Sequence, residues 1–130
     1  MTKSKYNLET LFRALADRTR LRLINLLGDS EVCVCFLVEI LKISQPKISR
    51  HLAYLRQARV VVARREGKWM HYRLSEPPDE HAAHIFREVR ASLTEHPEFQ
   101  RDREKLEKVC CAPTLPVQLR RAPRPAGLAA

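Results

Sequence analysis

A mainly helical fold carrying one small β-hairpin is the class this sequence predicts, and three observations predict it. Apolar residues recur at three- and four-residue spacing through most of the first 57 positions. Residues 60–74 break that rhythm with two runs of branched and aromatic residues around a glycine. A second helical pattern follows the Pro77-Pro78 pair. At 130 residues the chain is sized for one domain, and its 45% apolar content is ordinary for a globular protein.

The elements follow in order. Leu8, Leu11, Phe12 and Leu15 mark an amphipathic helix over roughly 6–16. Asp17 caps a second helix, with Leu21, Leu23, Ile24 and Leu27 facing inward and Gly28 as its stop. A third helix runs through Phe36, Leu37, Ile40 and Leu41. Ser44 caps a fourth, where Pro46 costs nothing because first-turn amides have no intrahelical partner. Ile48, Leu52 and Leu55 form its buried stripe. The hairpin pairs 60–65 with 69–74 across a turn at Glu66-Gly67-Lys68. Asp79 opens a long helix with Ala82, Ile85, Phe86, Val89 and Leu93 on one side. Pro97 begins a last helical segment to about Val109, and the proline- and arginine-containing stretch from Cys111 reads as a disordered tail. The expected division is a domain over 1–110 and a tail over 111–130. No apolar run reaches the length of a membrane span, and the first residues lack a signal peptide's apolar stretch, so a cytoplasmic protein is expected.

Two short helices joined by a tight turn, the second polar and basic outside, describe a helix-turn-helix; a basic-tipped hairpin after it makes the arrangement winged. Charge agrees with a polyanionic partner. Residues 1–75 hold 15 Lys and Arg against 6 Asp and Glu, whereas residues 76–130 hold 9 of each, so the whole net charge of +9 lies in the half with the reading helix. On that helix Gln45, Lys47, Ser49, Arg50 and Tyr54 lie off the apolar stripe. Gln suits adenine, Lys and Arg suit guanine or phosphate, and Ser49 and His51 suit phosphate or water-mediated contacts. Arg64, Arg65 and Lys68 crowd the wing.

Enzymatic signatures are missing from the sequence: no G-x-S-x-G, no phosphate-cradling glycine loop and no C-x-x-C, with three glycines in all. The chemistry rests instead on four cysteines, paired as Cys33-x-Cys35 and Cys110-Cys111. In a reducing compartment these suggest ligation or redox chemistry rather than a disulfide framework, with buried space-filling as the plainer reading.

The blocks Glu31-Val32-Cys33-Val34-Cys35, Ser44-Gln45-Pro46-Lys47-Ile48-Ser49-Arg50-His51-Leu52 and Gly67-Lys68-Trp69-Met70-His71-Tyr72-Arg73-Leu74 resemble the ArsR/SmtB family of metal-responsive repressors, in its arsenic-responsive branch. The resemblance implies a homodimer with terminal helices at the subunit interface. It also implies a repressor that binds double-stranded operator DNA when metal-free and leaves it on binding As(III) or Sb(III), with methylarsenite a further candidate inducer. That branch often carries a third cysteine, where this chain has Val38. Cys33 and Cys35 are then the expected ligands, with Cys110 or Cys111 as candidates for the third, because As(III) is a soft, thiophilic centre. On a regular helix residues i and i+2 point about 200° apart, so both thiols are expected to meet one ion only if the helix start unwinds. Zinc-sensing relatives use a D-x-H and H-x-x-E set on the long helix. Here Asp79, His81 and Glu95 match but Ser92 replaces a histidine, so Asp79 reads as a cap, His81 as surface, and His71, His84 and His96 as structural. A thiol-redox repressor, a sensor of another thiophilic metal and a non-switching architectural DNA binder are the alternatives.

Overall fold

The computed structural model describes residues 6–111, without the side chain of Cys111, and residues 122–125. Helices α1 (Leu8–Leu15) and α2 (Arg18–Leu27) both start at side-chain caps. Asn7 Oδ1 accepts from the Thr10 amide at 3.3 Å and Asp17 Oδ2 from the Arg20 amide at 3.0 Å. Each satisfies an amide the helix itself leaves unpaired. Gly28 ends α2 with φ of +48°, and a Cβ there would run into the Arg103 guanidinium. Leu23 and Leu27 are fully buried, whereas Leu21, expected inside, is only half-buried.

After a turn at Asp29-Ser30 the chain forms strand β1 (Val32–Cys33) before helix α3 (Val34–Leu41). The sequence reading has no strand here. Lys42, in the left-handed conformation at φ +57°, turns the chain toward α4 (Gln45–Gln57). Ser44 occupies the cap position of α4, yet its side chain makes no capping hydrogen bond. Ile48, Leu52 and Leu55 are all completely buried, as their spacing requires.

Strands β2 (Val61–Glu66) and β3 (Trp69–Leu74) form the hairpin, with Gly67 supplying the positive φ of a tight turn. The sheet has three strands in the order β1-β3-β2, all antiparallel. Its registers put Cys33 opposite His71 and His71 opposite Arg64. Helix α5 (Glu80–Leu93) is capped by Asp79, whose Oδ1 accepts from the Ala82 amide at 2.9 Å.

Helix α6 (Pro97–Cys111) packs against α2 and α3, and its polar pairings hold it in register. Arg18 meets Glu98 at 2.8 Å, Arg22 meets Asp102 at 2.7 Å, Asn25 Nδ2 donates to the Phe99 carbonyl at 2.8 Å, and Arg103 donates to the Asn25 carbonyl at 3.1 Å. The ion pairs Arg18–Glu98 and Arg22–Asp102 advance by four residues on both helices, so α6 runs in the direction of α2. Phe99, Leu106 and Cys110 of α6 are buried in the core. The helix extends past the expected end at Val109, taking in both Cys110 and Cys111. Of the expected tail, 112–121 and 126–130 lie outside the described residues. Within 122–125, Ala122 is buried and Arg124 donates to the Cys110 carbonyl. Among the described residues no helix is long and apolar enough to cross a membrane.

Candidate thiol centre and nucleic-acid interface

Cys33 and Cys35 point at each other, with their sulfurs 2.7 Å apart. That separation is longer than a disulfide bond, which is about 2.05 Å. The geometry corrects the expectation drawn from helical spacing. Cys33 is not helical: it is the N-cap of α3, with φ −68° and ψ 141°, and it ends β1. Only Cys35 lies in the helix, so the extended backbone at Cys33 swings the two thiols together without unwinding any turn.

Cys33 is fully buried and Cys35 half-buried. The thiol of Cys35 donates to Cys33 and pulls its pKa down to about 7, against the effect of burial, with the backbone amides of Cys35 and Val34 assisting. Being the donor, and being buried, pushes Cys35 up. The pair therefore shares one proton near neutrality, with the charge on the sulfur at the helix start, where amides and dipole favour it.

Val38, one turn on from Cys35, is half-buried. Among the described residues no three His, Cys, Asp or Glu side chains gather as a metal site. Cys110 accordingly does not complete the pair in this conformation; it is buried in the core at the end of α6. Cys111 closes the same helix, its side chain outside the described atoms.

The reading helix presents Gln45, Lys47, Arg50 and Tyr54 as exposed side chains, with Ser49 half-buried. His51 turns inward. Its Nδ1 lies 3.7 Å from Asp17 and makes no hydrogen bond, and burial lowers its pKa. Tyr54 carries a partner the sequence reading missed: the Arg20 guanidinium stacks 4.1 Å from its ring centre and donates to the Arg13 carbonyl at 2.7 Å. No local spacing links positions 20 and 54.

In the wing, Arg65 Nε donates to the Gly67 carbonyl at 3.1 Å and Lys68 lies 5.1 Å from the Trp69 ring. Arg64 is exposed but held by Glu31: Nε reaches both carboxylate oxygens at 3.0 and 3.2 Å, and Nη2 reaches one at 2.7 Å. This guanidinium lowers the pKa of Glu31. Buried His71 places Nε2 3.1 Å from Glu66. Asp79 is the cap of α5 and His81 is exposed, in keeping with the reading made of both.

A helix-turn-helix of α3 and α4, followed by a basic hairpin, defines a winged-helix protein of the DNA-binding regulator class. The chain belongs to the ArsR family of bacterial regulatory proteins. The sequence profile described as "Bacterial regulatory protein, arsR family" matches residues 17–62. The chain is 56% identical over 66 residues to the arsenical resistance operon repressor of Escherichia coli (strain K12), covering 50% of this chain and 56% of that one. It is similar in structure to HlyU from Vibrio cholerae N16961, at 30% identity and TM-score 0.55, covering 70% of this chain and 99% of that one. It is also similar to the AntR antimony-specific transcriptional repressor, at 25% identity and TM-score 0.54, covering 78% and 92%. The chain spans about half the length of the curated relatives it matches. The family and these relatives are regulators of transcription rather than enzymes.

Proposed function

We propose that the protein is a cytoplasmic repressor that binds operator duplex when free of inducer and leaves it when a trivalent arsenic or antimony species binds Cys33 and Cys35. The observation that carries this reading is the convergence of the two sulfurs at the start of α3, the helix that packs directly on α4. The repressors similar to this chain in sequence and structure support a metalloid as the inducer.

The donor set decides which species fit. Two thiols condense with arsenite, each forming an S–As bond as one hydroxyl leaves with the thiol proton as water. The third hydroxyl stays on arsenic. Methylarsenite fits in the same way with its methyl group kept, so no third protein sulfur is required. One thiol is already close to ionised at neutral pH and supplies the first nucleophile. Gathering an atom between sulfurs 2.7 Å apart spreads them, and where that strains β1 or α3 the protein shifts toward whichever arrangement binds the ligand better.

The DNA contacts of this reading are Gln45, Lys47, Ser49, Arg50 and Tyr54 on α4, with Arg64, Arg65 and Lys68 from the wing. His51 serves packing against α2 instead. The working unit is a homodimer over residues 1–110. Leu8 and Phe12 leave 43% and 51% of their surfaces exposed on α1. A cavity of about 500 Å³ on the same side as Phe12, lined in part by Phe12, Leu15, Leu21, Val89 and Leu93, is the mainly apolar face a second copy would cover.

Fluorescence anisotropy of a labelled duplex, selected for this protein from a random-sequence pool, tests the function. Arsenite, antimonite or methylarsenite releases the duplex, while zinc does not. Binding unchanged by excess trivalent arsenical overturns the reading. The sulfur approach also favours a second one, in which peroxide takes two electrons and two protons from the thiols to form a disulfide. Release by peroxide alone, reversed by a thiol reductant, selects it.

A further inference from the structure

The thiol pair and the wing are parts of one sheet. Cys33 ends the strand that pairs with β3, and the row Cys33, His71, Arg64 crosses all three strands at one level. Two residues before Cys33, Glu31 grips Arg64 through three N–H···O contacts of 2.7, 3.0 and 3.2 Å. The second wing carboxylate, Glu66, lies 3.9 Å from Nη1 of the same guanidinium and 3.1 Å from His71.

The clamp engages the Nε and Nη2 edge of the guanidinium; Nη1 makes only a longer approach to Glu66, at 3.9 Å, and 51% of the whole side chain is exposed. An arginine fixed by a planar fork loses little further freedom when it meets a phosphate. We propose that Glu31 is the positioning residue for the wing: it holds Arg64 ready for the DNA backbone, and releases that hold when Cys33 and Cys35 close on a ligand. This rests on the repressor reading above and adds the route by which the thiols reach DNA without passing through α4.

The opposite role is also physically defined. A carboxylate this close masks the charge of Arg64, and a masking residue would weaken DNA binding in the inducer-free state. Positioning is the choice consistent with a repressor that binds DNA with the clamp formed.

The test is a double-mutant cycle on the full chain, using the selected duplex and anisotropy at two salt concentrations. Glu31→Gln weakens binding about fivefold, the effect of leaving one long side chain to be ordered on contact. Arg64→Lys, which keeps charge but loses the fork, weakens it about tenfold. The double variant binds no worse than Arg64→Lys alone, because the first residue acts through the second. Glu31→Asp keeps the charge, shortens the reach and reproduces the loss. Arsenite releases less of the remaining affinity in Glu31→Gln than in the wild type.

Additive losses overturn the proposal. So does tighter binding by Glu31→Gln with a steeper salt dependence, which is the signature of masking. A loss seen only in Glu31→Gln, accompanied by a lowered melting temperature and missing in Glu31→Asp, overturns it as well. Arsenite failing to release DNA from the wild type removes the repressor reading itself. Wild-type release combined with additive variants removes the clamp alone.

Discussion

Asp102 presents both carboxylate oxygens to Arg22, at 2.7 and 3.0 Å, from a site where only 2% of its side chain meets solvent. The pair fastens α6 to α2 and so fixes the helix that ends in Cys110-Cys111. Removing one partner of a buried ion pair strands the other and costs several kcal/mol. Arg22 retains 24% exposure and recovers some hydration, which places the cost toward the lower end. Asp102→Ala lowers the unfolding free energy by about 3 kcal/mol. Urea denaturation checks this, and a loss under about 1 kcal/mol would mean that α6 is not fastened there.

Gly28 offers a second handle on the same docking. Its φ of +48° strains any other residue, and a Cβ would displace the Arg103 guanidinium from the end of α2. Gly28→Ala destabilises the fold by about 2 kcal/mol, combining the positive-φ penalty with the lost carbonyl contacts. Thermal unfolding of Gly28→Ala against Arg103→Ala and the double variant measures the shared part. Strict additivity would contradict the contact.

The reading face gives a third expectation. Arg50→Ala weakens binding to the selected duplex by about 1–3 kcal/mol and relaxes sequence preference. Lys47→Ala reduces the salt slope by about one. Arg20→Ala acts at second hand, freeing the Tyr54 ring on which it stacks. Affinity unchanged in both Arg50→Ala and Lys47→Ala would remove α4 from the interface.

How much of this was legible in the sequence depends on the range of the interaction. The stripe Ile48, Leu52, Leu55 and the caps Asp17 and Asp79 are local patterns, and the structure carries them as read. Strand β1 is two residues long, too short for alternation to register, and its pairing partner lies nearly forty positions away. Without that strand Cys33 looks helical, and the conflict between two diverging thiols follows from the wrong premise. The Glu31–Arg64 and Arg20–Tyr54 contacts likewise join residues that no periodicity relates. His51 has a distant neighbour of the same kind: half-buried beside the apolar stripe, it lies 3.7 Å from Asp17 at the start of α2.

The shared proton makes a pH prediction. The hydrogen bond from Cys35 holds Cys33 down to about 7, so its thiolate forms as pH rises through that value. Ultraviolet thiolate absorbance of the wild type therefore shows an early step near pH 7, absent in Cys33→Ser. In Cys35→Ala the donor is gone, and the step moves up toward the ordinary cysteine value of about 8.5. A step that stays near 7 in Cys35→Ala would show that the neighbouring thiol is not its cause.

The most direct test of the central claim compares the two cysteine pairs in one experiment, as arsenite is titrated into protein bound to the selected duplex. Cys33→Ser and Cys35→Ser bind DNA as the wild type does but no longer release it, while Cys110→Ser and Cys111→Ser release it normally. Release that survives both of the first substitutions and disappears with either of the second would contradict the account.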